Sequence, residues 1–228
     1  MSALLFSVLL AVAYAMLMMK FSVWRTRKLL DERSNPLRDV PLQQLSDRMA
    51  TALAVPKIEV RVFEVEAVNG LASPDGRIYL TRGFLEQRAR GAVTDEELAS
   101  VIAHELGHVA MGHMRRRMID FTGQNAVFVM LSALLNRFLP IIGIWIANLI
   151  ASALMARLSQ RDEFEADAYA SALLIKAGIG TGPQKSLFRK LEALTQNRGQ
   201  GIPAWLLSHP RTDARIAAIE ANEARWMG

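Results

Sequence analysis

The chain has no cysteine among its 228 residues. Without cysteine it can form neither a disulfide framework nor a thiolate zinc site, so any zinc would have to be held by histidine and carboxylate side chains. Histidine is scarce as well, with four residues in the whole chain. The sequence shows no internal repeats and no low-complexity tract, which excludes a repeat array.

Positive charge is in modest excess, with a formal net charge of +5. The basic residues lie beside apolar runs and are not interleaved with aromatic residues, so we expect no nucleic acid as a partner. Anionic lipid headgroups fit this distribution better. Because 51% of the residues are hydrophobic, slightly more than in an ordinary soluble domain, the composition indicates one large domain associated with membrane lipids.

The first apolar run covers residues 3–19 and carries no charge, near the lower limit of about 17 to 25 residues for a membrane-spanning helix. A secretory signal peptide is the alternative, since Ala13-Tyr14-Ala15 resembles a cleavage site. An uncleaved anchor is favoured because no positive charge precedes the run and residues 16–19 stay apolar. Basic residues follow within 20–28, which predicts that the chain after the anchor is cytoplasmic.

The sequence therefore predicts an N-terminal membrane anchor with a basic flank at 1–30, a polar linker at 31–41 and one domain at 42–228. Within that domain, apolar stretches at 126–135 and 138–156 predict a helical hairpin, placed at 118–158. Its second arm is long enough to enter a bilayer. A hairpin buried in the protein or lying in the membrane interface remains an alternative.

Short β-structure is predicted before the histidine-rich region. Residues 58–66 alternate in polarity as in a half-buried strand, and turn residues at 69–76 precede a second strand at 77–81. The two strands are expected to form a hairpin or a sheet edge. The edge at 77–81 could pair with an extended peptide, or the hairpin could be purely structural.

The central motif is His104-Glu105-Leu106-Gly107-His108. On a helix that turns about 100° per residue, His104 and His108 project in nearly the same direction, one turn apart. Two imidazoles in this arrangement suit Zn²⁺, and Glu105 is placed to take a proton from a water molecule that shares the metal. The motif predicts metal-assisted hydrolysis.

The motif lies in a segment with a clear helix start. Thr94 and Glu97 form a capping-box pattern, so the helix is predicted from near Asp95 to about Arg115. On one continuous helix His113 would lie about 140° further round than His108 and face away from it. We therefore predict that His113 is a surface or packing residue and not a ligand.

A catalytic zinc needs a third protein ligand, and the acidic helix after the hairpin supplies the candidates Glu163 and Glu165. Glu163 is preferred because Asp167 lies one helical turn further on the same face, where it could orient His104 or His108 through the second ring nitrogen. The alternative is a solvated acidic helix paired with arginines.

From residue 40 onward the chain resembles the HtpX-like membrane-associated zinc metalloendopeptidases, a family that also includes the CAAX-prenyl-protease type. The resemblance is carried by residues 69–85, the H-E-x-x-H motif, the E-x-x-x-D element from Glu163 to Asp167, and Ser208-His209-Pro210 with Arg215. The resemblance implies that Glu163 is the third zinc ligand and that Asp167 is a hydrogen-bonding partner behind the metal ligands. It also implies that His209 lies near the metal. From the sequence alone, His209 could equally cap or pack a helix.

Together these features predict an α+β, mainly α-helical fold: a zincin-like catalytic domain with a small edge β-sheet and an apolar hairpin between the two zinc-binding helices. We expect one zinc ion per subunit, held by His104, His108 and Glu163. Glu105 would act as base, and His209 or Arg215 would stabilise the developing oxyanion.

The expected function is membrane-associated endoproteolysis of polypeptide substrates in protein quality control, at the bacterial inner membrane with the catalytic domain in the cytoplasm. The alternative is a non-proteolytic membrane scaffold or chaperone-like protein with a structural zinc. An intact Glu105 argues against it, because a closed zinc site needs no base.

Overall fold

The structure is a computed structural model that describes residues 3–73, 75–140, 142–196 and 212–227. Within these ranges the chain forms eight helices and one four-stranded sheet. The helices are α1 (Ala3–Glu32), α2 (Val40–Leu53), α3 (Arg82–Ala89), α4 (Asp95–Ala110), α5 (His113–Phe138), α6 (Ile142–Lys176), α7 (Gly182–Gln196) and α8 (Thr212–Met227). The strands are β1 (Ser34–Pro36), β2 (Val60–Phe63), β3 (Gly70–Ala72) and β4 (Ile78–Thr81). The predicted mainly helical α+β class is confirmed.

The sheet differs from the predicted hairpin. Its strand order is β1-β2-β4-β3, so β4 is an interior strand that pairs in parallel with β2 and antiparallel with β3. The prediction of an exposed edge at 77–81 is therefore wrong, and β3 forms that edge. The short strand β3 was missed because it lies within the run of turn residues.

The N-terminal segment begins as one helix of 30 residues, α1. Its membrane role and the domain boundaries at 30 and 41 stay predictions. The stretch predicted as a linker contains β1, which pairs antiparallel with β2, so it forms part of the sheet. Asp39 then caps α2 by accepting a hydrogen bond from the backbone N–H of Leu42.

The helix that carries the motif, α4, starts as the sequence predicts. The Thr94 side chain accepts from the Glu97 N–H, and the Glu97 carboxylate accepts from the Thr94 N–H. Almost every residue of α4 up to Gly107 is buried, because the helix packs between the sheet, α2, α6 and α7. It forms the centre of the hydrophobic core.

The end of α4 was predicted wrongly. The helix stops at Ala110, and Gly112 adopts the left-handed conformation with φ +66° before α5 begins at His113. Glycine reaches this conformation without the steric cost that a Cβ brings. The chain therefore changes direction between His108 and His113, and the two residues do not belong to one helix.

Helices α5 and α6 pack against each other as the predicted apolar hairpin. The acidic segment was predicted as a helix after the hairpin, and it is the C-terminal half of α6 itself, which runs unbroken for 35 residues. Its N-terminal half exposes large apolar side chains, including Trp145 and Leu149 at 71% and 69% exposure. One helix thus combines an apolar arm with a buried acidic segment.

Candidate metal centre

His104 and His108 meet at the buried face of α4. Their Nε2 atoms lie 3.1 Å apart, and His104 is 1% exposed. Glu105, the residue between the two imidazoles in the motif, is also buried. The four-residue spacing therefore produces the pair of nitrogen ligands that the helical repeat predicts.

Glu163 approaches this pair from α6. Its Oε2 lies 3.4 Å from Nε2 of His104, and its Oε1 lies 3.5 Å from Nε2 of His108. Zinc bonds of about 2.0–2.1 Å in a tetrahedral arrangement separate neighbouring ligand atoms by about 3.3 Å. The three observed distances bracket this value. The donor set therefore fits a tetrahedral metal ion with one coordination position left over.

A close contact between helices brings Glu163 into place. A Cβ built on Gly107 of α4 would lie 2.8 Å from the backbone oxygen of Ala166 and 2.9 Å from its Cα. Only a residue without a side chain allows α4 and α6 to approach this closely. Since Ala166 lies one turn after Glu163, the same contact sets how far the carboxylate reaches toward the histidines.

The second ring nitrogen of His104 contacts a buried ion pair formed by Asp167 and Arg215. Nδ1 of His104 lies 2.9 Å from Oδ1 of Asp167, and Arg215 of α8 binds both oxygens of Asp167 at 2.5 and 2.7 Å. In the neutral ring this hydrogen bond places the proton on Nδ1, so Nε2 is the nitrogen that can bind a metal. The guanidinium also lies 4.4 Å above the ring of Phe188, so α7 and α8 both support this pair.

Arg215 is 1% exposed and lies on the Asp167 side of His104. Its guanidinium also lies 3.6 Å from Oε2 of Glu163. Its predicted role in stabilising an oxyanion stays a prediction. His209, the other predicted helper, lies outside the described residues.

Burial and charge shift the pKa values of the site. Burial raises the pKa of Glu105 to about 7, with a smaller rise from the nearby Glu163 and an opposing effect of His104. Burial also tends to raise the pKa of Asp167, but the charge and hydrogen bonds of Arg215 outweigh it and lower that pKa to about 2. Asp167 therefore remains a carboxylate, while Glu105 has a pKa suited to exchanging protons near neutral pH.

A second cluster lies next to the first and includes His113. His113 is buried, with its Nδ1 2.8 Å from Nδ1 of His108 and its Nε2 3.2 Å from Oε2 of Glu165. The prediction that His113 faces away from the other imidazoles is wrong, because α4 ends before it. His113 contacts the nitrogen of His108 that points away from Glu163.

His113, Asp162 and Glu165 could by distance hold a metal of their own. However, the Arg116 guanidinium already lies 3.1 Å from the Asp162 carboxylate and 2.7 Å from that of Glu165. A positive side chain thus occupies the position where a cation would be needed. We assign this cluster to hydrogen bonds and ion pairs.

Arg117 connects the two clusters. Its guanidinium lies 3.3 Å from Asp162 and 3.1 Å from Oε1 of Glu163, and its side chain is 44% exposed. The third candidate ligand is therefore held by an arginine from α5 as well as by its own helix.

Residues 36–223 match the sequence family described as Peptidase family M48. The chain belongs to this family. Metalloprotease LoiP of Escherichia coli K12 is 32% identical over 71% of this chain and 61% of its own length. The Protease HtpX homolog of Chlorobium phaeobacteroides is 26% identical over 87% of this chain and 74% of its own. Protease HtpX of Hahella chejuensis is 25% identical over 97% of this chain and 86% of its own length.

This M48 chain thus spans about three fifths of the length of LoiP. The family and the names of these relatives agree with the resemblance found from the sequence motifs. A metal cofactor agrees with both the family and the buried His104, His108 and Glu163 donor set.

Two features of the M48 site were missed from the sequence: the contact of His113 with His108 and the close approach at Gly107. Gly112 was a usable signal for the first, because glycine just after a helical run commonly marks the end of the helix. The second carried no local signal, since the neighbouring backbone is 59 residues further along the chain, at Ala166.

Proposed function

We propose that this protein is a membrane-associated, zinc-dependent metalloendopeptidase. The observation that carries the proposal is the triangle formed by His104, His108 and Glu163, whose edges of 3.1, 3.4 and 3.5 Å suit tetrahedral zinc, with the buried Glu105 beside it. Zinc bound there would lower the pKa of a water molecule to about 7 and polarise a peptide carbonyl.

The protein groups have distinct roles in this proposal. Glu105 accepts the proton of the attacking water and returns it to the amine that leaves, a role that its buried position beside the histidine pair allows. Asp167 keeps His104 in the tautomer that binds metal, and Arg215 keeps Asp167 charged and in place. His209 stays a candidate for oxyanion stabilisation.

The substrate is a polypeptide that we place along β3. Backbone hydrogen bonds join Thr81 to Asn69 and Ser73 to Arg77. By the alternation of an antiparallel pair, the backbone groups of Gly70 and Ala72 then point away from β4, toward the outer edge. A Cβ on Gly70 would lie 3.3 Å from Oε1 of Glu105. An extended chain paired with this edge would therefore run past the proposed base.

Membrane association is supported by the apolar arm of α6 and by α5. Only α6 is long and apolar enough to cross a bilayer among the residues described, and few residues of its apolar window are buried. On α5, Met130 and Phe138 are 71% and 70% exposed. Such a surface suits lipid contact. We further propose a location at the bacterial inner membrane with the site in the cytoplasm, and a role in quality control of membrane or misfolded proteins.

The decisive test replaces Glu105 with Gln in the full chain, purified with zinc in detergent. We expect cleavage of an unfolded test protein such as casein to fall by at least about 100-fold, while the zinc content stays at one ion per chain. Unchanged cleavage would refute the mechanism. Loss of zinc together with cleavage would point to a damaged site, so zinc content is measured on every sample.

The proposed substrate edge has a separate test. A peptide substrate is N-methylated at one backbone position at a time, which removes one donor without changing the side chains. Because strand pairing uses alternate residues, we expect KM to rise at every second position near the cleaved bond. An equal response at all positions would remove β3 from the proposal.

The membrane surface is tested by replacing Leu149 with Glu and, as a control, Val55 with Glu. Both side chains are exposed, at 69% and 41%, but Val55 follows α2 whereas Leu149 belongs to the apolar half of α6. We expect the Leu149 variant to bind vesicles of anionic phospholipid more weakly than the Val55 variant, because the predicted anchor in α1 is common to both. Equal binding of both variants would argue against lipid contact by α6.

A further inference from the structure

We propose that His113 is a positioning residue that orients the metal ligand His108, so that the base of the α5/α6 hairpin sets the geometry of the metal site. The inference rests on the proposed zinc-dependent function. His113 is 1% exposed and belongs to neither of the two metal-binding motifs. Its Nδ1 lies 2.8 Å from Nδ1 of His108, and the two rings meet edge to face with centroids 5.0 Å apart.

The positions of the ring protons follow from which nitrogen of His108 would bind the metal. Nε2 of His108 faces His104 and Glu163, so it is the nitrogen that would bind metal, and the proton of His108 belongs on Nδ1. Two nitrogens that are 2.8 Å apart need one donor and one acceptor. His108 therefore donates, and Nδ1 of His113 accepts.

The remaining proton of His113 then lies on Nε2, where Oε2 of Glu165 accepts it at 3.2 Å. Arg116 holds the same carboxylate oxygen at 2.7 Å. His113 and Arg116 belong to the first turn of α5, and Glu165 to the facing part of α6. A chain of hydrogen bonds thus runs from the metal ligand into the base of the hairpin.

The two histidine ligands are supported in different ways. His104 donates directly to the carboxylate of Asp167, whereas His108 reaches the carboxylate of Glu165 only through His113. Partners that fix the second nitrogen of a histidine ligand typically change metal affinity about 10- to 100-fold when removed. A displacement of α5 against α6 would therefore reach the metal through His108.

Three substitutions separate the contact with His108 from simple packing. In His113→Asn the side-chain oxygen takes the place of Nδ1 and can still accept from His108. In His113→Gln the amide takes the place of Nε2 and keeps the contact with Glu165 only. His113→Leu fills the space with neither hydrogen bond. Each full-length variant is measured for zinc affinity by chelator competition, for its Co²⁺ absorption spectrum, and for thermal unfolding in EDTA.

We expect zinc affinity to fall about 10- to 100-fold in the Leu and Gln variants and to return to within about threefold of the original in the Asn variant. The Co²⁺ spectrum should change in the same order. Unaltered zinc affinity in His113→Leu would overturn the proposal. So would an Asn variant as weak as the Leu variant, since packing alone would then explain the loss.

A measurement on the unaltered protein covers the case in which the variants fail to fold. The chain has four histidines, so selective ¹⁵N-histidine labelling yields few signals. With zinc bound, His108 should be protonated at Nδ1 and show a scalar coupling across the hydrogen bond to Nδ1 of His113. Absence of that coupling would overturn the inference. If zinc binds and Glu105→Gln abolishes cleavage, the proposed function stands whatever His113 does.

Discussion

Replacing Gly107 with Ala should weaken the proposed metal site without changing a candidate ligand. Gly107 lies between His104 and His108 on the face of α4 that contacts α6. An added Cβ would lie 2.9 Å from Cα of Ala166, whereas carbon atoms in contact prefer about 3.5–4.0 Å. The helices must therefore separate by at least about 0.6 Å.

This displacement is large compared with what a metal site tolerates. Glu163 lies one turn before Ala166 on α6 and would move away from His104 and His108 together with it. Metal–ligand distances are normally kept within about 0.2 Å. Overpacking of this kind costs about 1–3 kcal/mol. If that whole cost opposes zinc binding, zinc affinity falls roughly 5- to 150-fold.

The assay is zinc affinity by chelator competition, with Gly182→Ala as the matched control. A Cβ on Gly182 would meet no heavy atom within 4 Å, so that variant should bind zinc like the original protein. We expect Gly107→Ala alone to lose zinc affinity and cleavage together. Zinc affinity within twofold of the original would show that the helix contact does not set the position of Glu163.

Three further predictions concern the supports of the site. Gly112→Ala should lower the unfolding free energy by about 1–2 kcal/mol, because Gly112 has a φ of +66°. Gly112→Asn should lower it less, since asparagine tolerates this conformation better than alanine. Equal losses of both variants in urea unfolding would exclude backbone strain as the cause. Arg215→Met removes the arginine that binds both oxygens of the buried Asp167 carboxylate, so it should cost about 3–5 kcal/mol. Adding Asp167→Leu should recover part of the loss, and a double variant as unstable as the single one would contradict this. Burial lowers the pKa of His104, but hydrogen bonds to Asp167 and Glu163 outweigh this and raise it to about 9. The raised pKa stabilises the metal-free protein fully below the ordinary value of 6.5, and the effect is lost as the pH rises to about 9. Zinc must displace that proton, so calorimetry should show zinc affinity rising about tenfold per pH unit from pH 7 to 8, and a flat profile would disprove the linkage.

The sequence was informative wherever the relevant contacts lie within one helix. The capping box at Thr94 and Glu97 located the start of α4, and the four-residue spacing placed His104 and His108 on one face. The same helical repeat related Glu163 to Asp167 and favoured Glu163 over Glu165 as the third ligand. The structure brings these residues together as the spacing suggested.

The sequence was less informative where the chain reverses or strands pair. A helix continued to Arg115 would place His113 facing away from the site. In the structure α4 ends before Gly112, and His113 contacts His108. The strand at 77–81 was expected at an edge, but parallel pairing with β2 places it inside the sheet. The strand pairing depends on a segment distant in sequence, which a local pattern does not record, whereas the end of α4 at Gly112 had a local signal that was not used.

The sequence alone determined the types of candidate ligand and the helix that presents two of them, because helical geometry fixes relative directions over four or five residues. It also showed that no thiolate could take part. Only the tertiary structure decided the distance from Glu163 to the histidines, the pairing of Arg215 with Asp167, and the role open to His113. These depend on how closely α4, α5, α6 and α8 pack, and that packing is set by contacts such as Gly107 against Ala166, which are formed only in the folded protein.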